Sequence, residues 1–464
     1  MEEFDTVTLG AGGGAYPAAF ELARAGRRVL MVDDKGVMSG NCLFEGCVPS
    51  KAVREVSELV RRMAKGPAFG LSGPGSVDFA GVMAHKDRVQ RTRYEQHAAE
   101  LGRVADRLEL RRGSARLVGP HEVEVDDGTS TTRVAAAHVI VATGAAPSMP
   151  PIPGAELCVT SHDLFAYGVD ARPLARRLVV IGAGYIGLEV ACMWNALGSH
   201  VSVLEAEGTV LPGMDPDFVA LLSGGLPSGI DVRLEATVRE VRRSEAGLEV
   251  HFDHRGVPAV VEADEVLMAV GRHPVIPDGA EDLGLELDGR ALAASPSLQT
   301  RLGHIYSVGD VNGQAMLFHA AVRQSLVAAH NILAGDRPVD RMDLSTVPTT
   351  VFTYPEASYV GALRAELSAK GVGFVEGAYA LSEDSRAQIL DEPYGEIRLF
   401  FEERSLRLLG GWVVGIDAGQ LVGEIGVAIA SQMSAFELAR FADQHPMAAE
   451  GISKAARSVI GNLD

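Results

Sequence analysis

The sequence predicts an α/β fold with two Rossmann-like dinucleotide-binding domains and a smaller α+β domain at the C-terminal end. Three observations predict it. Near the start of the chain a strand, a glycine-rich turn, a helix and a second strand closing on an acid follow one another. The same succession returns from Leu178 onward, and beyond about Met342 the chain changes to strands with less glycine patterning, then helices. A length of 464 residues fits roughly three domains of ordinary size.

In the first unit the β-type run Thr6 to Leu9 gives way to Gly10-Ala11-Gly12-Gly13-Gly14-Ala15. A helical stretch from Tyr16 to Ala25 and a strand from Val29 to Val32 follow, ending at Asp33. Gly10, Gly12 and Gly14, with Ala15, let backbone amides at a helix N-terminus approach a pyrophosphate, and Asp33 can bind a ribose hydroxyl pair. Helices are expected at about Arg54 to Ala64 and Phe79 to Leu108, the second a densely charged, solvated face. Strands Glu122 to Val125 and Arg133 to Val141 then lead into Ala142-Thr143-Gly144-Ala145, which is either a second approach of backbone to cofactor or a plain turn.

A Pro-rich link, Pro147 to Pro153, marks a boundary. The second unit runs through strand Leu178 to Ile181, the turn Gly182-Ala183-Gly184-Tyr185-Ile186-Gly187, a helix from about Leu188 to Leu197, strand Val201 to Leu204 and the acid Glu205. A carboxylate there accepts ribose hydroxyls and repels a 2′-phosphate, so this site should prefer NAD to NADP. Strands from Val238 to Val270, turning at Arg255-Gly256, close at Gly271-Arg272. Ile305 to Asp310 reads as a strand ending in Gly309-Asp310, where the acid either accepts a sugar-type hydroxyl or caps a turn. A helix is expected from Phe318 to Leu333 and another near Val422 to Gln432.

Hydrophobic residues make up 47% and charged residues 22%, which is globular rather than disordered composition. A formal charge of −19 argues against nucleic acid or an anionic membrane as partner. No run approaches the apolar length of a spanning helix, and the chain enters a strand at once without a basic leader, so a cytoplasmic protein is expected.

Two of the four cysteines, Cys42 and Cys47, lie in Ser39-Gly-Asn-Cys-Leu-Phe-Glu-Gly-Cys-Val-Pro-Ser-Lys51. Gly40, two residues before Cys42, and Gly46, just before Cys47, let one bent segment bring both thiols within disulfide reach. A dithiol that opens and closes is the first reading. A structural disulfide fits poorly in a chain long enough to build a core, and zinc fits poorly without a second ligand pair nearby, so no metal site is expected. Cys158 and Cys192 read as small buried residues. Near the C-terminus His445 and Glu450 form a His and carboxylate pair that could work as a base near neutral pH, or could simply be surface residues.

With these residues in hand, the chain resembles the flavin-dependent pyridine nucleotide-disulfide oxidoreductases, and most closely their dihydrolipoamide dehydrogenase branch. The resemblance covers essentially the whole length and rests on the cysteine segment, the two glycine turns, Ala142-Thr-Gly-Ala145, Val270-Gly-Arg-His-Pro274, Val308-Gly-Asp-Val311, Met316-Leu-Phe-His-Ala-Ala321, Pro348-Thr-Thr-Val-Phe-Thr-Tyr-Pro-Glu356 and His445-Pro-x-x-x-Glu450. It implies an FAD domain over 1–147, an NAD domain over 148–271, a return segment over 272–341 completing the FAD site, and a dimerisation domain over 342–464. It further implies that Cys47 lies against the flavin, that Cys42 exchanges with substrate, and that Lys51 and Glu189 pair nearby. Asp310 would hold the ribityl chain, and Gly40, Asn41, Ala115, Val238, Arg272, Met316, Leu317, Phe318 and His319 would join the cofactor contacts. His445 and Glu450 would reach the dithiol of a second subunit, making a homodimer whose partner is lipoamide or a lipoyl-bearing protein. The alternatives are reduction of a different disulfide, an NADH-dependent diaphorase, or a subunit whose main role is docking in a lipoyl assembly. Ser39 stands where the motif usually has Gly, and Asp443 and Met447 stand where many members of the branch carry His and Thr. Tyr185 could shield the flavin until nicotinamide displaces it, or could be a packing aromatic.

Overall fold

The computed structural model describes residues 1–72, 76–169 and 172–461. The chain opens with β1 (Glu2–Leu9), α1 (Tyr16–Arg24), β2 (Val29–Asp33), α2 (Gly40–Phe44), α3 (Cys47–Ala64) and α4 (Phe79–Gly102). Strands β3 (Leu108–Arg112), β4 (Ser114–Gly119), β5 (Glu122–Asp126) and β6 (Thr131–Val141) follow. β3, β2, β1 and β6 lie side by side in parallel, and Ile305–Ser307 pairs in parallel with the far end of β6. β5 and β4 add antiparallel to the near end of β6. Both faces of the parallel strands are covered, which is why Val29 to Val32 read as one unbroken apolar run.

Two helix bounds depart by more than one turn from the sequence reading; the expected helices from Leu188 and Val422 start a turn earlier, at Tyr185 and Ala418. The charged helix stops at Gly102 rather than running to Leu108. Leu108 to Arg112 instead pair with Val29 to Asp33, and Leu108 is buried there, so edge pairing wins over helical charge patterning. α3 starts at Cys47 rather than Arg54. Pro49 falls in its first turn, where the missing N–H has no intrahelical partner to lose.

The second sheet is fully parallel, in the order Ile230–Arg233, His200–Leu204, Arg177–Ile181, Glu265–Met268. An antiparallel meander, Ala236–Ser244, Gly247–His254 and Val257–Ala263, leans on it. Its second hairpin turns at Arg255 and Gly256, both at positive φ, as a two-residue turn between twisted strands demands. The chain enters this unit through Ala145–Pro147 and leaves through Arg272–Pro274, and those two short strands pair.

The last third forms a five-stranded antiparallel sheet, Thr349–Val351, Ala357–Gly361, Leu408–Val414, Glu396–Glu402, Phe374–Ala380. Helices Ala418–Ala430 and Glu450–Ile460 close its core. Among the described residues no helix is long and apolar enough to cross a membrane.

Candidate active site

The two glycine turns repeat one geometry. Gly10 has φ +108, and a Cβ there would stand 2.4 Å from the Ala142 carbonyl oxygen; Gly182 has φ +103, with 2.5 Å to the Ala269 oxygen. In each unit the turn therefore rests against the end of a neighbouring parallel strand, a fit open only to glycine. The acids repeat as well. Asp33 accepts from the N–H of Ala11 at 3.2 Å and of Lys35 at 3.0 Å, and Glu205 accepts from the N–H of Ala183 at 2.7 Å and of Glu207 at 2.9 Å. Each carboxylate thus fixes its own turn while facing the same cleft.

That cleft has a volume of about 1880 Å³ and runs from the first turn to the second. Every residue expected to touch a cofactor lines it except Ala15 and Gly187. Ala15 is buried behind the turn, its N–H bonded to the Gly12 oxygen. Gly187 serves packing, since a Cβ there would stand 2.0 Å from the Gly182 oxygen. Gly144 and Gly184 have only open space where a Cβ would be, so backbone at both ends of the cleft stays free for close approach.

The cleft fits a hydroxyl-rich dinucleotide at Asp310. This carboxylate lines the wall, burial raises its pKa against the charge of Arg272, and no protein donor bonds it among the described residues. A buried acceptor of that kind suits ligand hydroxyls. Arg272 is oriented by donating to the Ala145 oxygen at 2.5 Å.

Between the turns lie the cysteines, both free thiols. Gly46 lets the chain fold back: a Cβ there would stand 2.9 Å from the Asn41 oxygen and 3.3 Å from Cys42 Cα. Cys47 is the first residue of α3, so the helix N-terminus faces the pair. The hydrogen bond to Cys47, with burial, drives the Cys42 thiol far above the usual range. The same bond, with the Lys51 charge and against burial, holds Cys47 below it. The reduced pair is therefore asymmetric, with a thiolate favoured at Cys47. Burial pushes Cys158 up to about 11 and Cys192 up to about 12, leaving both inert.

One turn into α3, Lys51 Nζ meets Glu189 Oε2 at 2.5 Å. Glu189 also accepts from the Phe352 N–H at 3.1 Å, and the Phe352 ring lies 4.3 Å from Lys51 Nζ. No local spacing in the sequence marks Phe352 as a site residue, although it lies in Pro348-Thr-Thr-Val-Phe352. Tyr185 lines the cleft with its hydroxyl 3.2 Å from that of Tyr359, so it is tethered to the C-terminal sheet rather than packed into a core. Ser39 has φ +78, the left-handed region that favours the glycine usual there, and its hydroxyl is held by His97 Nδ1 at 3.3 Å.

His445 and Glu450 pair at 2.9 Å but stand outside the cleft of their own chain, with the His445 side chain 68% exposed. Burial would raise the Glu450 pKa, yet the Met447 N–H and His445 outweigh it and hold it low. Asp443 points inward to Ser453 and Arg457, while Met447 is exposed beside His445.

The family description "Pyridine nucleotide-disulphide oxidoreductase" matches residues 4–325, and its dimerisation domain matches residues 347–456. Dihydrolipoyl dehydrogenase of Vibrio cholerae is 30% identical, covering 98% of this chain and 96% of that protein. Leghemoglobin reductase of Vigna unguiculata is also 30% identical, covering 98% and 87%. The crystal structure of LpdA from Mycobacterium tuberculosis superposes with a TM-score of 0.89 at 26% identity, over 99% of this chain and 100% of that one.

Proposed function

Since the chain belongs to the pyridine nucleotide-disulphide oxidoreductase family of flavoproteins, we propose that it oxidises dihydrolipoyl groups to lipoyl groups with NAD as acceptor, through a Cys42–Cys47 disulfide. Residues 1–147 with 272–341 hold FAD, 148–271 hold NAD, and 342–464 pair with a second copy. The observation that carries the reading is the cysteine pair at the N-terminus of α3, beside Lys51 and Glu189, in the cleft that joins the two glycine turns.

His445 of a second copy, oriented by Glu450, takes the proton of one substrate thiol. The resulting thiolate attacks Cys42 Sγ, and the Cys42–Cys47 bond breaks with its electron pair leaving on Cys47. The second substrate thiol displaces Cys42, closing the lipoyl disulfide and leaving a Cys42 thiol and a Cys47 thiolate. Lys51 stabilises the charge on Cys47, and Glu189 with Phe352 keeps Lys51 in place. FAD, which the first glycine turn, Asp33 and Asp310 would hold, would supply the two-electron acceptor that reoxidises the pair, with NAD at the second turn and Glu205 as the final acceptor. The carboxylate of Glu205 disfavours a 2′-phosphate, hence NAD over NADP.

A second reading, NADH-dependent reduction of another disulfide or a diaphorase acting on another acceptor, draws support from the equal identity to a leghemoglobin reductase and from Asp443 and Met447 beside His445. Steady-state turnover separates the two. Dihydrolipoamide with NAD should be oxidised, more slowly with NADP, and Cys42→Ser should abolish it. Failure to turn over the dithiol, alongside rapid NADH oxidation by another disulfide or a haem protein, would replace the first reading with the second.

A further inference from the structure

The inner face of α4 carries two polar side chains that the proposed reaction does not use. Lys86 and Gln90 lie one turn apart and neither is exposed to solvent. Gln90 Nε2 donates to the carbonyl oxygens of Leu43 and Phe44, each at 2.8 Å, and Gln90 Oε1 accepts from Lys86 Nζ at 3.0 Å. Lys86 Nζ also donates to the oxygens of Phe165 at 3.2 Å and Ala166 at 3.0 Å, and to Asp87 Oδ1 at 2.7 Å. The network is closed: both amide hydrogens and the amide oxygen of Gln90 are used, and the buried ammonium meets four oxygens.

Its target is specific. Leu43 and Phe44 are the last residues of α2 and lie between Cys42 and Cys47. The carbonyls at a helix C-terminus have no partners within the helix, and here Gln90 supplies them from another element, with the Tyr167 N–H adding a bond to Phe44 at 2.9 Å. The segment is held this way while both cysteines are free thiols.

We propose that Gln90, held by Lys86, is a positioning residue for the redox pair: it clamps the segment between the cysteines so that the reduced thiols stay in ring-closing geometry, which lowers the reduction potential of the couple. The proposal rests on the dithiol reading above. Closing a disulfide in a loose segment costs the conformational entropy of fixing it, and a clamp already in place in the dithiol removes that cost. Loosening the clamp gives freedom to the dithiol and none to the disulfide, so the equilibrium moves toward the dithiol.

The test equilibrates full-length wild type, Gln90→Met and Gln90→Asn with mixtures of reduced and oxidised dithiothreitol, then traps free thiols for mass spectrometry. Cys42 and Cys47 lose two electrons and two protons to form their disulfide, and oxidised dithiothreitol gains them. Methionine fills the volume of Gln90 without its donors, and asparagine keeps a buried amide but withdraws it by one methylene. Both variants should need a more oxidising mixture, with the equilibrium constant for closure lower by about tenfold, or ~30 mV for this couple. Closure at the wild-type ratio in a folded variant overturns the clamp. Hydrogen exchange on the wild type needs no variant: amides of residues 43–46 should exchange equally slowly before and after reduction, and faster exchange in the dithiol form overturns the proposal. Should wild-type Cys42 and Cys47 form no disulfide in any mixture, it is the dithiol reading itself that fails.

Discussion

Cys42 and Cys47 begin as the same thiol, and their surroundings drive them apart. Cys47 sits on a helix N-terminus beside Lys51 and accepts a hydrogen bond from Cys42, while Cys42 bears the cost of the shared proton. In the reduced protein Cys47 should be alkylated by iodoacetamide first, and should keep reacting as pH falls below the ordinary thiol value of about 8.5. Peptide mapping checks it; a Cys47 rate that falls with pH as a free cysteine does would remove the asymmetry. The cysteine spacing, the two turns and the acids Asp33 and Glu205 were legible because each is a local pattern in the chain. Phe352 and Gln90 were not, because their partners Glu189 and Leu43 come from distant elements and no short spacing announces them.

α3 carries Cys47 at one end and a charge cluster at the other. Glu58 is buried and accepts from Arg61 at 2.8 and 2.9 Å and from Arg62 at 2.6 Å, and Arg61 Nη2 reaches Glu392 of the C-terminal domain at 2.5 Å. Burial works against the Glu58 charge, but the two arginines more than offset it and depress its pKa. Its contribution to stability is therefore complete above the unfolded carboxyl value of about 4.3 and is lost as pH falls through the lower folded value. Glu58→Gln should lower Tm at neutral pH, with the gap from wild type closing in acid; a gap independent of pH would contradict this. At this scale the helix of Phe318–Leu333 and the hairpin at Arg255-Gly256 were readable, since period and turn chemistry agree there. The run from Arg103 to Leu108 misled because its charges suit a helix surface, whereas Leu108 is needed to pair with Val29.

For the molecule as a whole, the question is where His445 works. It is exposed and lies outside its own cleft, and the exposed apolar residues Val427, Phe436, Phe441 and Met447 belong to the same C-terminal domain, whose family description is a dimerisation domain. If two copies share each site, mixing inactive Cys42→Ser with inactive His445→Gln should restore activity on subunit exchange, since each mixed dimer has one intact site. Statistical exchange should restore about one quarter of the wild-type rate. No recovery after verified exchange would place His445 in its own subunit's chemistry or outside the reaction. The most direct measurement is anaerobic titration of the purified flavoprotein with dihydrolipoamide and, separately, NADH. Two electrons should produce a long-wavelength band from the Cys47 thiolate against oxidised flavin, absent in Cys47→Ser. Simple bleaching of the flavin, with no such band in the wild type, would contradict the account.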